Sequence, residues 1–450
     1  MKDWSERHRA DFPALNPHRG RAPIYLDSAC MSLTPRVVVQ AMEEYYTDFP
    51  GCGGRSVHRW SSRVTDAVES FREDCGAYFG GTPEEFVNLR NTTEALNLVA
   101  KGLDLRRGDR VLLTDQEHNS NLVVWQELAE RIGIRIEFLP LPEDAPFDPE
   151  GFEHALSRGV RVVSFFHSSN LDGRTLPARE IVERAHDAGA MVLLDGSQAA
   201  PHHRLDLDRL GADFYALSLH KMLGPSGTGL LYLRSGAESQ VRPLVSGGET
   251  VAWSDYRGHE KLEGPARYEA GLQNYAGIVG ARAALAYLQR VDFAALSVHE
   301  ARLQRLLDRE LDGIPLRHVG AQNATDRGSI YSFALPHADS HDVALFLDAA
   351  YQVMVRSGMN CVHSWYRARN LEGSVRASFY LYTSESDVMA LARGIRELSE
   401  RLTPSQEGRS TAPSPSLRRS PDRPVKPSRG RIGPSSLPAR PRSRAGRSSR

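Results

Sequence analysis

Residues 191–233 read MVLLDGSQAAPHHRLDLDRLGADFYALSLHKMLGPSGTGLLYL, and this stretch sets the fold. A first apolar run, 191–194, stops at Asp195. A second, 214–219, stops at His220 and Lys221. A turn containing Gly224, Gly227 and Gly229 then leads into a third run, 230–233. Short apolar runs bounded by turn residues read as buried strands. In open α/β sheets, ligands bind beyond the carboxyl ends of such strands. Asp195, Gln198, His220 and Lys221 all lie at those ends.

A lysine beside a cleft, with a carboxylate on a neighbouring strand, suits pyridoxal 5'-phosphate. The amine can form a Schiff base, and the carboxylate can keep the pyridine nitrogen protonated so that the ring acts as an electron sink.

Outward from this stretch, strands and helices alternate. Strands are expected at 86–89, 110–113, 135–139 and 160–167, and helices at 94–102, 122–133, 148–158 and 177–189. Repeated βα units of this kind imply a mostly parallel sheet covered on both faces. Earlier in the chain, 24–26 reads as a short strand. Thr34-Pro35 opens a helix over 36–46, and 64–79 reads as an amphipathic helix with Cys75 on its apolar face. Residues 242–273, rich in Gly and charge, read as an irregular lid or interface segment. Helices follow at 278–288 and 293–311. The last folded part reads as a smaller α/β domain, with strands at 329–335, 354–356 and 374–380 and helices at 341–350 and 384–402. The expected organisation is an irregular lead-in (1–24), a large cofactor-binding domain (25–290), a small domain (291–403) to which part of the lead-in can belong, and a tail (404–450).

The formal net charge of zero hides an asymmetry. From Pro404 onward twelve Lys/Arg face two acids, so the tail carries +10 and the rest −10. The tail is almost wholly Pro, Ser, Arg and Gly, and too poor in apolar residues to fold, so it reads as disordered. It is either a solvated extension or an arm for RNA or another partner, whereas the body shows no basic patch for nucleic acid. The four cysteines show neither CxxC nor metal spacing, which points to reduced thiols in a cytoplasmic protein and to no metal. The charged N-terminus lacks an apolar signal core, and no apolar run is long enough to span a membrane.

Chemistry-bearing residues recur at strand ends: Thr92 and Thr93, His118, Asn170, Asp195 and Gln198, and Ser218, His220 and Lys221. Each alone has a plain reading. Thr92 or Thr93 can cap a helix as readily as bind phosphate at its N-terminus. His118 can be a satisfied histidine, Asp195 a cap, and Lys221 a solvated residue. Cys361 can be a small buried residue, but its loop, RSGMNCVH (356–363), is polar. The joint order of these residues is the signal.

Read together, LDSAC (26–30), RSVHRWSS (55–62), NTTEALNLVA (91–100), DQEHNSNLVVWQ (115–126), SSNLDGRTLP (168–177), YEAGLQN (268–274), VRSGMNC (355–361) and VRASFYLYTSESDV (375–388) resemble the class V, fold type I pyridoxal-phosphate enzymes. The likeness is greatest to the SUF-type (group II) cysteine desulfurases and covers 25–402. It implies that Lys221 carries the cofactor, Asp195 pairs with its ring nitrogen, Gln198 bonds its phenolic oxygen, and His118 stacks on the ring and takes part in proton transfer. It gives Thr93, Ser218 and His220, with Thr92 beside them, to the phosphate. Asn170 and Arg376 would hold the substrate carboxylate, and Cys361 would become a persulfide. It further implies L-cysteine as substrate, a protein or small thiol as sulfur acceptor, a role in iron–sulfur cluster assembly, and a homodimer. Two positions depart from the pattern. Met359-Asn360 stands where many relatives have two histidines. Leu272 stands where many have a threonine reaching the partner subunit's phosphate. Rival readings are a class V aminotransferase, a selenocysteine lyase or another C–S lyase, a non-catalytic scaffold in sulfur-protein assembly, and an RNA-associated protein using its tail.

Overall fold

Seven strands form the sheet that positions the site: β1 (Phe86–Leu89), β2 (Arg110–Thr114), β3 (Arg135–Leu139), β4 (Val160–Phe166), β5 (Met191–Asp195), β6 (Phe214–Ser218) and β7 (Gly229–Leu233). The computed structural model describes residues 4–17, 22–142, 145, 147–323 and 326–402, so the expected disorder of 404–450 lies outside the described residues. The sheet order is β1-β7-β6-β5-β4-β2-β3. Every neighbouring pair is parallel except the two that involve β7. Parallel neighbours need a crossover, and helices such as Asn119–Ile132 and Ala178–Asp187 supply it. The short turn between β6 and β7 leaves no room for one, so β7 runs back antiparallel.

Successive residues of a strand face opposite sides of the sheet. Leu112, Val163, Val192 and Leu194 pack into one apolar cluster, and Leu113, Val162, Leu193 and Phe214 into another. Both faces are therefore buried, which is why the strand runs are continuously apolar. The register places Asp195 between Phe166 and Ala216.

A second sheet holds β8 (Arg317–His318), β9 (Ile330–Ala334), β10 (Arg356–Gly358) and β11 (Ser374–Ser378), antiparallel throughout, in the order β8-β9-β11-β10. Tyr331, Phe333, Val375 and Ala377 face the helices Phe293–Glu310, Ser340–Tyr351 and Glu385–Leu402 through Leu303, Leu347 and Leu391. By the same alternation Ser332 and Arg376, paired across β9 and β11, face the other way. That direction brings them to Leu171 and Asn170, whose carbonyls accept from Ser332 Oγ at 2.5 Å and Arg376 Nη1 at 2.9 Å.

Several boundaries differ from the sequence reading. The helix expected from 64 starts at Arg59, where the His58 ring accepts from the Ser61 amide. Pro35 takes the N-cap position of the helix Arg36–Asp48 without a side-chain cap. The lead-in contains three 3-10 turns within 5–15. The strand expected at 354–356 is two: Val353–Met354 pairs parallel with Ile24–Tyr25, and Arg356–Gly358 joins the second sheet. Residues 242–273 are not irregular throughout, because Val251–Ser254 and His259–Lys261 form an antiparallel hairpin. Among the described residues no helix is long and apolar enough to cross a membrane.

Candidate active site

The carboxyl ends of β5 and β6 form the floor of a cavity of about 250 Å³. After Asp195 the chain must pass the ring of Tyr215. A Cβ at Gly196 would lie 1.9 Å from Tyr215 Cε1, so only glycine fits there. Asp195 Oδ1 accepts from the Ser197 amide at 2.9 Å, and Gln198 Nε2 donates to the Ala29 carbonyl at 2.7 Å. Ser218 ends β6, and a 3-10 turn, Leu219–Lys221, carries His220 and Lys221 onto the cavity wall. Burial pulls the Lys221 ammonium below the usual lysine range, and the Asp195 carboxylate opposes that pull.

His118 follows β2 and caps the helix Asn119–Ile132. Its Nδ1 accepts from the Ser120 amide at 3.0 Å, so the neutral ring carries its proton on Nε2. Burial first, and the nearby Lys221 second, lower its pKa to about 4. The same two causes lower His220 to about 4. Both rings are neutral at pH 7. Behind them Glu117 accepts from Thr114 Oγ1, Asn121 Nδ2 and the Phe166 amide at 2.8, 2.8 and 3.1 Å. Burial raises it to about 8.

One wall is the N-terminus of the helix Thr92–Gly102. Neither threonine caps it. Asn91 does, its Oδ1 accepting from the Glu94 amide at 3.0 Å. An asparagine can make that bond as well as a threonine can, and here it precedes them in the chain. Both threonine hydroxyls are thereby left for other partners. Thr92 Oγ1 lies 2.8 Å from Ser218 Oγ and accepts from Ser197 Oγ at 2.7 Å, and Thr93 Oγ1 lies 2.7 Å from Ser120 Oγ. Hydroxyls gathered at a helix N-terminus suit a phosphate.

The opposite end belongs to the second sheet. Arg376 is buried. Its Nη2 pairs with Asp27 Oδ1 at 3.2 Å while Nη1 holds the Asn170 carbonyl. Burial raises the pKa of Asp27, and Arg376 is the largest opposing influence. Asn170 Nδ2 donates to the Asn360 carbonyl at 2.6 Å. Arg376 Nε and Asn360 Oδ1 are buried polar atoms with no hydrogen-bond partner among the described residues. Asn360 and Cys361 are consecutive left-handed residues, with φ of 47° and 59°. That conformation is costly for a side chain other than Gly or Asn, and such costs gather at functional sites. The Asn119 amide donates to the Cys361 carbonyl at 2.8 Å, fixing the loop against the His118 segment.

All eleven residues singled out from the sequence line this one cavity: Thr92, Thr93, His118, Asn170, Asp195, Gln198, Ser218, His220, Lys221, Cys361 and Arg376. Leu272 does not. It is 72% exposed and borders a separate cavity of about 650 Å³. Cys30, Ser120, Ser168, Ser197 and Asn360 also line the site and were not assigned to it, and so does Arg356, which the polar loop 356–363 had already placed near Cys361. Single polar residues in turns carry no periodic signal, but LDSAC and VRSGMNC already marked Cys30, Arg356 and Asn360 as lying in motif segments.

The chemistry fits pyridoxal phosphate at the floor: an amine, a carboxylate at a neighbouring strand end, a hydroxyl-lined helix N-terminus, and a cavity wide enough for one ring. The unpartnered Nε of Arg376 fits a substrate carboxylate.

The sequence profile described as Aminotransferase class-V matches residues 24–391. A probable cysteine desulfurase of Halalkalibacterium halodurans is 35% identical over 397 residues, covering 86% of this chain and 96% of that protein. The apo structure of a cysteine desulfurase from Thermococcus onnurineus superposes with a TM-score of 0.84 at 34% identity, covering 88% of this chain and 98% of that one. A cysteine desulfurase from Escherichia coli, solved with an S-sulfonic acid, gives a TM-score of 0.81 at 30% identity, with coverage of 88% and 98%.

Proposed function

We propose, from the premise that this chain belongs to the class-V aminotransferase family and to its cysteine desulfurases, that it converts L-cysteine to L-alanine and takes up the sulfur as a persulfide on Cys361. The observation that carries the reading is a single cavity lined by Lys221 and Asp195 from the large sheet and by Cys361 and Arg376 from the second. Pyridoxal phosphate would supply the electron sink that labilises bonds at the α- and β-carbons of the amino acid.

The chain's own residues divide the remaining work. Lys221 would hold the cofactor, and Asp195 would lie against its ring nitrogen. Gln198 would face its phenolic oxygen. His118 would lie on its ring, and Thr92, Thr93, Ser218 and His220 would surround its phosphate. Arg376 and Asn170 would bind the substrate carboxylate and fix which face of the α-carbon meets Lys221. The Lys221 amine then moves the α-proton. The downward pull of burial enlarges its neutral fraction, which is the form able to accept that proton. His118, neutral at pH 7 with its proton on Nε2, can donate that proton at the substrate end. The Cys361 thiolate attacks the substrate sulfur, a step for which the deprotonated form is the nucleophile.

The finer parts of the reading are a SUF-type subgroup, transfer of the persulfide to a protein or small thiol, service to iron–sulfur assembly in the cytoplasm, and a division near residue 290 into two domains. A homodimer belongs to it as well. Leu244, Val245 and Leu272 are exposed apolar residues around the larger cavity, which a second copy would cover. Sedimentation equilibrium checks that point. The main test is Cys361→Ala. It should abolish alanine formation from cysteine while keeping the bound cofactor's absorbance, and unchanged turnover would sink the assignment.

A further inference from the structure

The cavity holds a second thiol. Cys30 lines it together with Cys361, Lys221, Arg356 and Arg376, and is half-buried and unpaired by any disulfide. Its sulfur has a directed partner, Arg356 Nη1, which donates to it at 3.7 Å. Both sulfurs, Cys30 and Cys361, lie within electrostatic reach of the Lys221 ammonium.

The backbone around Cys30 is tied down on every side. The Cys30 amide donates to the Asp27 carbonyl at 3.0 Å. Ala29 accepts from Gln198 and, through its own amide, donates to Ser378 Oγ at 2.9 Å. Two residues on, the Ser32 amide donates to the His220 carbonyl at 3.0 Å. Cys30 is therefore held beside the turn that carries Lys221, while Cys361 approaches from the second sheet. Cys30, Cys361, Arg356 and Arg376 all line this one cavity, so the two sulfurs share a single space.

We propose that Cys30 is a second sulfur-carrying residue, which takes the outer sulfur from the Cys361 persulfide and frees Cys361 for another turnover. The inference rests on the desulfurase reading above. The step is an exchange of thiol for persulfide. The Cys30 thiolate attacks the outer sulfur, one S–S bond forms, and the bond between that sulfur and Cys361 Sγ breaks. The electron pair leaves on Cys361 Sγ, which takes up the proton that Cys30 gave up. One S–S bond replaces another, so no oxidant or reductant is needed. Arg356, itself on the cavity wall, is the donor that holds the Cys30 sulfur there.

The test uses the cofactor-loaded enzyme, a small excess of L-cysteine, and neither acceptor nor added reductant. Alanine formed per subunit in the burst is counted, the protein is alkylated, and its cysteine peptides are weighed. The wild type should release about two equivalents of alanine, with an extra sulfur on both Cys30 and Cys361. Cys30→Ala and Cys30→Ser should each stop at about one, with the sulfur on Cys361 alone. If either variant folds poorly, the wild-type peptide masses still decide. A wild-type burst of one equivalent with unmodified Cys30 would overturn the proposal and leave the desulfurase reading standing. So would a Cys30–Cys361 disulfide with free sulfide, because the sulfur would then be lost rather than passed on. No alanine burst at all would take down both.

Discussion

Arg376→Lys is the substitution that isolates the substrate end of the site. Lysine keeps the positive charge beside Asp27 but lacks the planar guanidinium that can hold Asn170 and Asp27 and still offer a further donor. In the wild type Nη1 and Nη2 are occupied by Asn170 and Asp27, and Nε is the buried donor left over. A hydrogen bond to a charged group contributes about 1.5–3 kcal/mol net. Its loss should lower kcat/KM for L-cysteine by roughly 10- to 150-fold. The carboxylate is unchanged through the reaction, so the contact holds in ground and transition states alike and the loss should fall mainly on KM. Steady-state alanine formation as a function of cysteine concentration reads this directly, and the cofactor's absorbance and the urea midpoint check that the fold is kept. Arg376→Ala would confuse the result, since it also removes the ion-pair partner of the half-buried Asp27 carboxylate and so destabilises the fold itself. A KM within twofold of the wild type in Arg376→Lys would refute the reasoning, because Arg376 would then be a structural partner of Asp27 and no more.

Glu117 gives a pH signature. Its pKa rises from 4.5 unfolded to about 8 folded, so in that window the folded state holds a proton that the unfolded state has lost. This contribution is full below pH 4.5 and disappears as pH rises through 8, a span worth on the order of 5 kcal/mol. Glu117→Gln should remove that slope from urea unfolding measured at pH 5 and 8, and an unaltered slope would show that the carboxyl is ionised in the fold. Gly196→Ala drives a methyl into Tyr215. Chemical denaturation should find it about 1–3 kcal/mol less stable, with weaker cofactor retention because Asp195 is next in the chain. Wild-type stability in Gly196→Ala would mean that the turn has room to spare.

The large sheet was legible because its strands are buried on both faces and so appear as unbroken apolar runs that stop where chemistry begins. Asp195, Ser218 and Lys221 could be placed by that rule alone. The hairpin over Val251–Lys261 escaped because nearly all its residues are exposed and no burial pattern is imposed on them. Asn91 escaped because its side chain competes with two adjacent threonines for one capping role, and spacing does not say which wins. The pairing of Cys30 with Arg356 escaped for a different reason. The 3.7 Å contact between them spans 326 positions. Motif likeness found Cys361 and Arg376 where periodicity could not.

The pairing of Ile24–Tyr25 with Val353–Met354, and of Ser378 with Leu26 and Ala29, bears on when the protein becomes an enzyme. Synthesis runs from the N-terminus, and non-local contacts form only after both partners exist. The strands that carry Asp195, Ser218 and Lys221 have all been made once β7 has emerged. The wall that includes Cys30 waits, with its own strand unpaired, until about 150 further residues have been made. The wall that would select the substrate is therefore the last part of the site to be assembled as the chain is made.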